Sequence, residues 1–200
     1  YNIPGIPHTD DAQLRRKFPM RMNNRRYCLI SALVFFACSG VYAADQFRSA
    51  PKVQIYDAGK KDFVFRDKVQ KTDAQWRRDL PAEIYVITRN RGTELAFTGK
   101  YWNNHEKGLY RCVCCGIDLF ASEAKFDSGA GWPSFDRPVM ETNIIVKEDR
   151  SLPEVKMEVM CARCEAHLGY VTGDGATQTR KRYLINSAAI VFEPSDIQVQ

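Results

Sequence analysis

Four of the seven cysteines form two CxxC pairs, Cys112 with Cys115 and Cys161 with Cys164. Each pair places two thiolates on one tight turn, and two such pairs supply the four sulfur ligands of a tetrahedral zinc ion. Protein sulfur then fills every position, so we expect a structural zinc with no room for water or substrate. The alternative is two chance pairs. Cys114 lies inside the first pair and could replace Cys115, although the spacing favours Cys115.

The other cysteines do not indicate a disulfide framework. Cys28 and Cys38 lie in an apolar run, and Cys114 is the one spare thiol beyond that run. Paired spacing of this kind is typical of a metal site rather than of a small secreted scaffold. We therefore interpret the cysteine pattern as metal binding, and we expect no organic cofactor.

The net charge of +5 is distributed unevenly along the chain. Residues 1–44 carry six basic side chains and two acidic ones, which leaves the other 156 residues nearly neutral. A DNA- or RNA-binding domain normally carries a basic face that neutralises phosphates. The charge pattern therefore argues against nucleic acid as a partner.

Residues 27–44 are an uncharged apolar run that follows the basic sequence MRMNNRR. Eighteen helical residues span about 27 Å, which is enough for a slightly short transmembrane helix. A signal peptide is one alternative and a buried core helix is another. We expect a retained anchor, because some twenty residues precede the basic cluster. The positive-inside rule then places the globular domain on the side of the membrane opposite the basic N-terminus.

The remaining segments have distinct patterns. We predict a polar basic leader at 1–26, a linker or arm at 45–71 and a tail at 195–200. Residues 72–90 look helical, since Thr72 or Asp73 could cap one helix and Pro81 could open a second. Beyond Gly99, short β-branched and aromatic runs separated by turn residues predict antiparallel β structure. These runs lie at 109–113, 143–147, 155–160, 183–185 and 189–192.

Several ordered motifs between about Asp73 and Pro194 identify a resemblance: FTGKYW, KFDSGAGWPSF, HLG and NSAA. Together they closely resemble the methionine-R-sulfoxide reductases, the B-type enzymes that repair methionine sulfoxide. The resemblance implies a mainly β fold of two antiparallel sheets (the Mss4-like β fold) with short N-terminal helices. It also implies a zinc held by the four cysteines and a family domain at 72–194.

The resemblance breaks at the residues that would perform the reaction. The family needs a thiolate that attacks the sulfoxide sulfur, a histidine that helps supply a proton, and a second thiol that resolves the sulfenic acid. Here the nucleophile position is Leu184, the second histidine of the HLGHV motif aligns with Tyr170, and one common resolving-cysteine position is Ala130. Pocket residues that match the family are Trp132, Phe135, His167 and Asn186.

Three functions follow as hypotheses. The first, which we favour, is an inactive reductase fold that serves as an accessory subunit of a larger membrane complex. Its setting would be the mitochondrial inner membrane, or else the secretory pathway or periplasm, and its contacts would be membrane lipid and other subunits through residues 1–70. The second is an active peptide-methionine (R)-S-oxide reductase that uses Cys114 or another group with a thiol or thioredoxin reductant. The third is a reader that binds methionine or its sulfoxide without turnover through Trp132 and Phe135.

Overall fold

The structure, a computed structural model, describes residues 50–151 and 153–196. The predicted leader at 1–26, the predicted transmembrane helix at 27–44 and the last residues of the tail lie outside this part of the chain. Within the described residues, no helix combines the length and the apolar character that crossing a membrane requires.

Two short helices lie where the capping signals predict them. Helix α1 covers Asp73–Asp79, and Thr72 caps it because the Thr72 side chain accepts a hydrogen bond from the Gln75 amide. The Gln75 side chain in turn accepts from the Thr72 amide, which completes a capping box. Helix α2 covers Ala82–Arg89 and begins directly after Pro81. Both predicted helices are confirmed.

A six-stranded antiparallel sheet forms the largest layer. Its strands, in spatial order, are β5 (Lys125–Phe126), β6 (Ser134–Phe135), β10 (Arg182–Ile185), β9 (His167–Thr172), β8 (Lys156–Cys161) and β7 (Ile144–Asp149). A three-stranded antiparallel sheet has the order β11 (Ile190–Pro194), β3 (Gly108–Cys112) and β4 (Asp118–Ala121). All five predicted β runs overlap these strands, so the mainly β class is confirmed.

An aromatic cluster joins these two sheets. Phe120 of β4 stacks on Phe135 of β6 with ring centroids 4.4 Å apart, and Tyr110 of β3 meets Phe135 edge-on at 5.0 Å. The ring of Tyr183 in β10 is tilted by 54° relative to that of Phe120, with ring centroids 5.7 Å apart. All four rings are fully buried, and offset or edge-to-face pairs add stability beyond their buried area.

A third sheet corrects the two-sheet expectation. Strands β1 (Lys52–Asp57) and β2 (Asp62–Asp67) form an antiparallel hairpin inside the segment predicted to be a linker or arm. The hairpin packs on its own domain, because Ile55 is buried in the core and the Tyr56 amide donates to the Asn143 side chain at 2.7 Å. The sequence gives little sign that the hairpin packs on the domain, since most of its side chains are exposed or half-buried.

Candidate metal centre and cleft

The four paired cysteines come together in one cluster. Cys112 ends β3 and Cys161 ends β8, and a tight turn follows each strand. The two turns have the same hydrogen-bond pattern: the Gly116 amide donates to the Cys112 carbonyl at 2.8 Å and the Glu165 amide donates to the Cys161 carbonyl at 2.9 Å. Gly116 and Glu165 both have positive φ, which lets the backbone reverse sharply at each turn and continue as the next strand.

The cluster fits a tetrahedral zinc ion. The four sulfur atoms lie within 4.8 Å of one another, with Cys112 to Cys164 at 3.6 Å and Cys115 to Cys161 at 3.4 Å. Zinc–sulfur bonds of about 2.3 Å at tetrahedral angles require sulfur separations of about 3.8 Å. Hydrogen bonding from Cys112 lowers the pKa of Cys164 and of Cys115, whereas hydrogen bonding raises the pKa of Cys112 and burial raises that of Cys161, so the four thiols share protons unequally.

Cys114 is not part of this cluster, and the structure selects Cys115 as the fourth sulfur. Cys114 is half-buried and lines a shallow depression with Val113 and Val191. Four sulfur ligands leave no open coordination position, so zinc bound here would link the end of β3 to the end of β8 without supplying catalysis.

Two arginines donate hydrogen bonds to cysteines of the sulfur cluster. The Arg89 guanidinium lies 3.9 Å from the ring centre of Trp76 and donates to the carbonyl of Cys164 at 2.9 Å and to its sulfur at 3.6 Å. Arg163 donates to the carbonyl of Cys115 at 2.9 Å. A zinc ion with four thiolates has net negative charge, which these cations offset. No motif in the sequence indicated either arginine.

A cleft of about 520 Å³ lies on another part of the domain. Four residues at positions that the resemblance assigns to the family's reaction site or pocket line this cleft: Trp132, Tyr170, Leu184 and Asn186. Its other apolar lining comes from Val155, Met157 and Val171. Among the described residues that line this cleft there is no cysteine.

Leu184 lines the cleft from strand β10. In β10 it pairs with Tyr170 of β9 on one side and with Ser134 of β6 on the other, and its side chain is half-buried. A leucine side chain offers neither a nucleophile nor a proton. This part of the cleft wall is therefore chemically inert.

The hydroxyl of Tyr170 is directed to a buried carboxylate. It donates to Asp149 at 3.1 Å, and burial followed by the Asp149 interaction raises the pKa of Tyr170 to about 12. Hydrogen bonds from Ser151 lower the pKa of Asp149 to about 2, so this carboxylate is ionised at neutral pH. The Tyr170 proton is therefore held by Asp149 and is not readily donated into the cleft.

A family model described as the SelR domain matches residues 80–194 of the chain. The similar proteins include one from Acinetobacter baumannii strain AYE, 53% identical over 129 residues, which are 64% of this chain and 93% of the relative. Another is from Herminiimonas arsenicoxydans, 50% identical over 127 residues, again 64% of this chain and 93% of the relative. Both are named peptide methionine sulfoxide reductase MsrB. The chain belongs to the SelR family.

Three of the nominated residues of this SelR domain do not line the cleft. Phe135 is wholly buried in the aromatic cluster, where it stacks on Phe120. His167 is also buried, with Nδ1 2.9 Å from the Glu158 carboxylate, and burial lowers its pKa so that it is neutral at pH 7. Ala130 lies in the loop before Trp132, where its amide donates to Ser128.

The side chains of the cleft are held in place by further residues of the SelR domain that no sequence motif indicated. The Glu94 carboxylate accepts hydrogen bonds from the amides of Ser187 and Ala188, and the Glu94 amide donates to the Asn186 side chain at 3.0 Å. The Trp132 indole donates to the Glu94 carbonyl at 3.1 Å. Glu94 therefore fixes the end of β10 against Trp132.

Arg91 is a second such residue. Its guanidinium lies 3.3 Å from the Glu158 carboxylate and 3.7 Å from that of Asp149, so one cation faces two buried anions. Arg91 has a φ of 54°, a backbone conformation that is uncommon for a residue with a side chain. The Arg91 cation therefore offsets the negative charge of Glu158 and of Asp149, the acceptor of the Tyr170 hydroxyl.

Proposed function

We propose that this SelR-family chain is catalytically inactive and serves as a zinc-stabilised accessory subunit of a membrane complex, with the mitochondrial inner membrane as its setting. The observation that carries the loss of catalysis is the place of Leu184 in the cleft wall, beside Trp132 and paired with Tyr170. The resemblance assigns the family's attacking cysteine to this position.

Reduction of a sulfoxide requires two groups that this cleft lacks. A thiolate must attack the sulfur, and a proton must reach the oxygen so that it can leave as water. Leu184 supplies no thiolate, and the Tyr170 proton is engaged by the ionised Asp149. His167 is buried and neutral, outside the residues that line the cleft.

A turnover assay tests the loss of catalysis. The full chain is mixed with a blocked peptide that contains methionine-R-sulfoxide, and with dithiothreitol or reduced thioredoxin. We expect no reduced peptide above background, whereas an active family enzyme assayed in parallel gives a normal rate. A rate comparable to that enzyme would refute the proposal.

Restoring the missing groups provides a matched test of the cleft. We expect Leu184→Cys alone to form a sulfenic acid and release methionine slowly, because a nucleophile is present without a well-placed acid. Leu184→Cys with Tyr170→His should be faster by about 10²-fold or more, the usual contribution of a positioned acid. Leu184→Ser with Tyr170→His is the inactive control. Equal rates for the single and double variants would contradict the role assigned to position 170.

The membrane part of the proposal rests on residues 27–44 and their basic flank. We expect carbonate washing to leave the protein in the membrane fraction, and protease to reach the globular domain only from the side opposite the N-terminus. Residues 1–70 would contact other subunits, so native gels should show the protein in a large complex. Release by carbonate, or migration as a monomer, would refute this part.

An active reductase is the second candidate, and the names of the similar proteins favour it. It would need a sulfur that reaches the cleft. Cys114, the spare thiol of the described residues, lies beside the zinc ligands and does not line the cleft. If the parent chain turns over sulfoxide and Cys114→Ser abolishes that activity without releasing zinc, the second candidate is correct.

A further inference from the structure

We propose that the cleft binds the unoxidised methionine side chain of a polypeptide in preference to its sulfoxide. We propose in addition that an exposed apolar ridge, formed by Leu95 and Phe97, binds the same polypeptide beside the cleft. The inference rests on the proposed function, because a cleft without a nucleophile can hold a ligand that it does not convert.

Four side-chain donors that line the cleft are already occupied. The Trp132 indole donates to the Glu94 carbonyl, and the Tyr170 hydroxyl donates to Asp149. The Asn186 amide donates to the Leu168 carbonyl at 3.1 Å. The Thr172 hydroxyl donates to Asp174 at 2.5 Å. To accept a hydrogen bond from one of these side chains, a sulfoxide oxygen would have to replace the acceptor that the donor already has.

The remaining side-chain donors of the lining, Thr93 and Lys156, are both exposed at the solvent side. The Lys156 ammonium lies over the ring of Tyr170, 5.5 Å from the ring centre. A sulfoxide oxygen is a strong acceptor, and burying it without a donor is costly. A thioether is only a weak acceptor and has no such requirement.

The apolar lining suits a thioether. Trp132 offers an indole ring, and polarisable sulfur makes favourable contacts with aromatic rings. Leu184, Val155 and Val171 supply aliphatic surface around it. The flexible methionine side chain adapts to an irregular apolar space of this kind. Replacement of a family cysteine by Leu184 makes the wall less suited to an oxidised ligand and better suited to a reduced one.

The ridge indicates a polypeptide rather than a free amino acid. Leu95 is 76% exposed and Phe97 is 55% exposed, so two large apolar side chains that are close in sequence face water. They adjoin the cleft, because the Phe97 amide donates to the Gly131 carbonyl at 2.8 Å and Glu94 holds Trp132. Phe97 has a φ of 67°, and strained positions of this kind concentrate at binding sites.

The size of the cleft agrees with this occupant. A cleft of about 520 Å³ is within the range of pockets that hold ligands larger than one side chain. A methionine in the cleft with its neighbouring residues on Leu95 and Phe97 would cover apolar surface that is otherwise exposed to water. The structure therefore favours a short peptide segment with a central methionine.

Titration calorimetry on the full chain tests the preference. The ligands are blocked pentapeptides that are identical except for a central methionine, methionine-R-sulfoxide or methionine-S-sulfoxide. We expect the reduced peptide to bind about tenfold or more tightly than either sulfoxide, the ratio for one unsatisfied buried acceptor. Equal binding, tighter sulfoxide binding or no binding of any peptide would overturn the inference.

Two variants at one position test the cause of the preference. Leu184→Thr adds a hydroxyl donor to the wall, and Leu184→Val has the same shape without the hydroxyl. We expect the ratio of reduced to oxidised affinity to fall about fivefold in the threonine variant relative to the valine variant. An unchanged ratio, with both variants folded by circular dichroism, would show that occupied donors do not determine the preference.

The ridge is tested with the same peptides and with blocked methionine amide alone. Leu95→Ser and Phe97→Asn remove the ridge, and asparagine tolerates the positive φ at position 97. We expect several-fold weaker binding of the pentapeptide and unchanged binding of the amide, while Val191→Thr, an exposed apolar control on β11, changes neither. Equal loss for both ligands would refute the role of the ridge.

The two proposals fail in different ways. Turnover of a sulfoxide peptide would refute the proposed function. Absence of turnover together with tighter sulfoxide binding would leave the proposed function intact and refute this inference alone.

Discussion

Asn143 fixes the β1–β2 hairpin to the rest of the domain, and replacing it provides a quantitative test of that attachment. Its side chain is fully buried, and its Nδ2 donates to the carbonyls of Tyr56 at 2.8 Å and Asp118 at 2.7 Å. Its Oδ1 accepts from the Tyr56 amide at 2.7 Å. One side chain therefore satisfies three backbone groups.

We expect Asn143→Ala to lower the free energy of unfolding by about 3 kcal/mol, taking about 1 kcal/mol for each of the three lost bonds. The value is a minimum if the backbone groups stay buried, because an unpaired buried group costs about 1–3 kcal/mol. Asn143→Asp should cost more, since a carboxylate would face the carbonyl oxygens of Tyr56 and Asp118. The loss is a large fraction of the stability of an ordinary domain.

Urea denaturation followed by fluorescence measures the change, with Asn103→Ala as the control. Asn103 is exposed, and among the described residues its side chain hydrogen-bonds only with His105. Hydrogen exchange at the Tyr56 amide should accelerate in the Asn143 variant by more than exchange in the six-stranded sheet. A loss below about 1 kcal/mol, or equal acceleration throughout, would refute an attachment through this side chain.

Three further predictions concern the strands, the metal and the response to acid. Gly169→Ala would place a methyl group 2.0 Å from the Leu184 carbonyl oxygen, so we expect the free energy of unfolding, measured with urea, to fall by about 3 kcal/mol or more. Gly173→Ala is the control and should change it little, because the space around Gly173 is open. Equal effects of the two substitutions would contradict the close packing of the strands at Gly169. Mass spectrometry should find one zinc ion per chain, and removal of the zinc by a strong chelator should unfold the domain. Binding of a structural zinc contributes about 10–16 kcal/mol, whereas a domain has only about 5–15 kcal/mol of stability. An unchanged melting curve after complete loss of zinc would contradict this prediction. The pKa of Asp149 lies at about 2 against a usual 3.8, so its ionised form stabilises the fold above pH 4 and this contribution disappears as pH falls toward 2. Asp149→Asn should therefore show a smaller loss of stability than the parent over that interval, and identical acid curves would contradict the assignment.

The parts of the structure that the sequence predicted are those with local signals. Two CxxC pairs indicated the metal cluster, because each pair needs only one turn to bring its sulfurs together. Thr72 and Pro81 marked the helix starts, since capping and the fixed φ of proline act within a few residues. The short β runs were likewise visible as β-branched and aromatic segments between turns.

The parts that the sequence did not predict depend on distant partners. The hairpin is held by Asn143, more than eighty residues from Tyr56, so nothing in the hairpin itself indicated that it packs on the domain. Tyr170 was interpreted as a lost histidine, yet its contact with Asp149 depends on the pairing of three strands. Phe135 and Trp132 are close in the same motif, but Phe135 lies in β6 within the aromatic cluster, whereas Trp132 lies in the loop before that strand and lines the cleft.

The cleft is assembled from pieces that are far apart along the chain, from Thr93 through Trp132 and Val155 to Leu184 and Asn186. High contact order of this kind slows folding, because long loops must close before their contacts give stability. A ribosome-bound chain that ends before β10 has neither Leu184 nor the Asn186 side chain, which hydrogen-bonds to Glu94 and Leu168. A ligand of the cleft would therefore meet a complete binding surface only after the last strands have been made and folded.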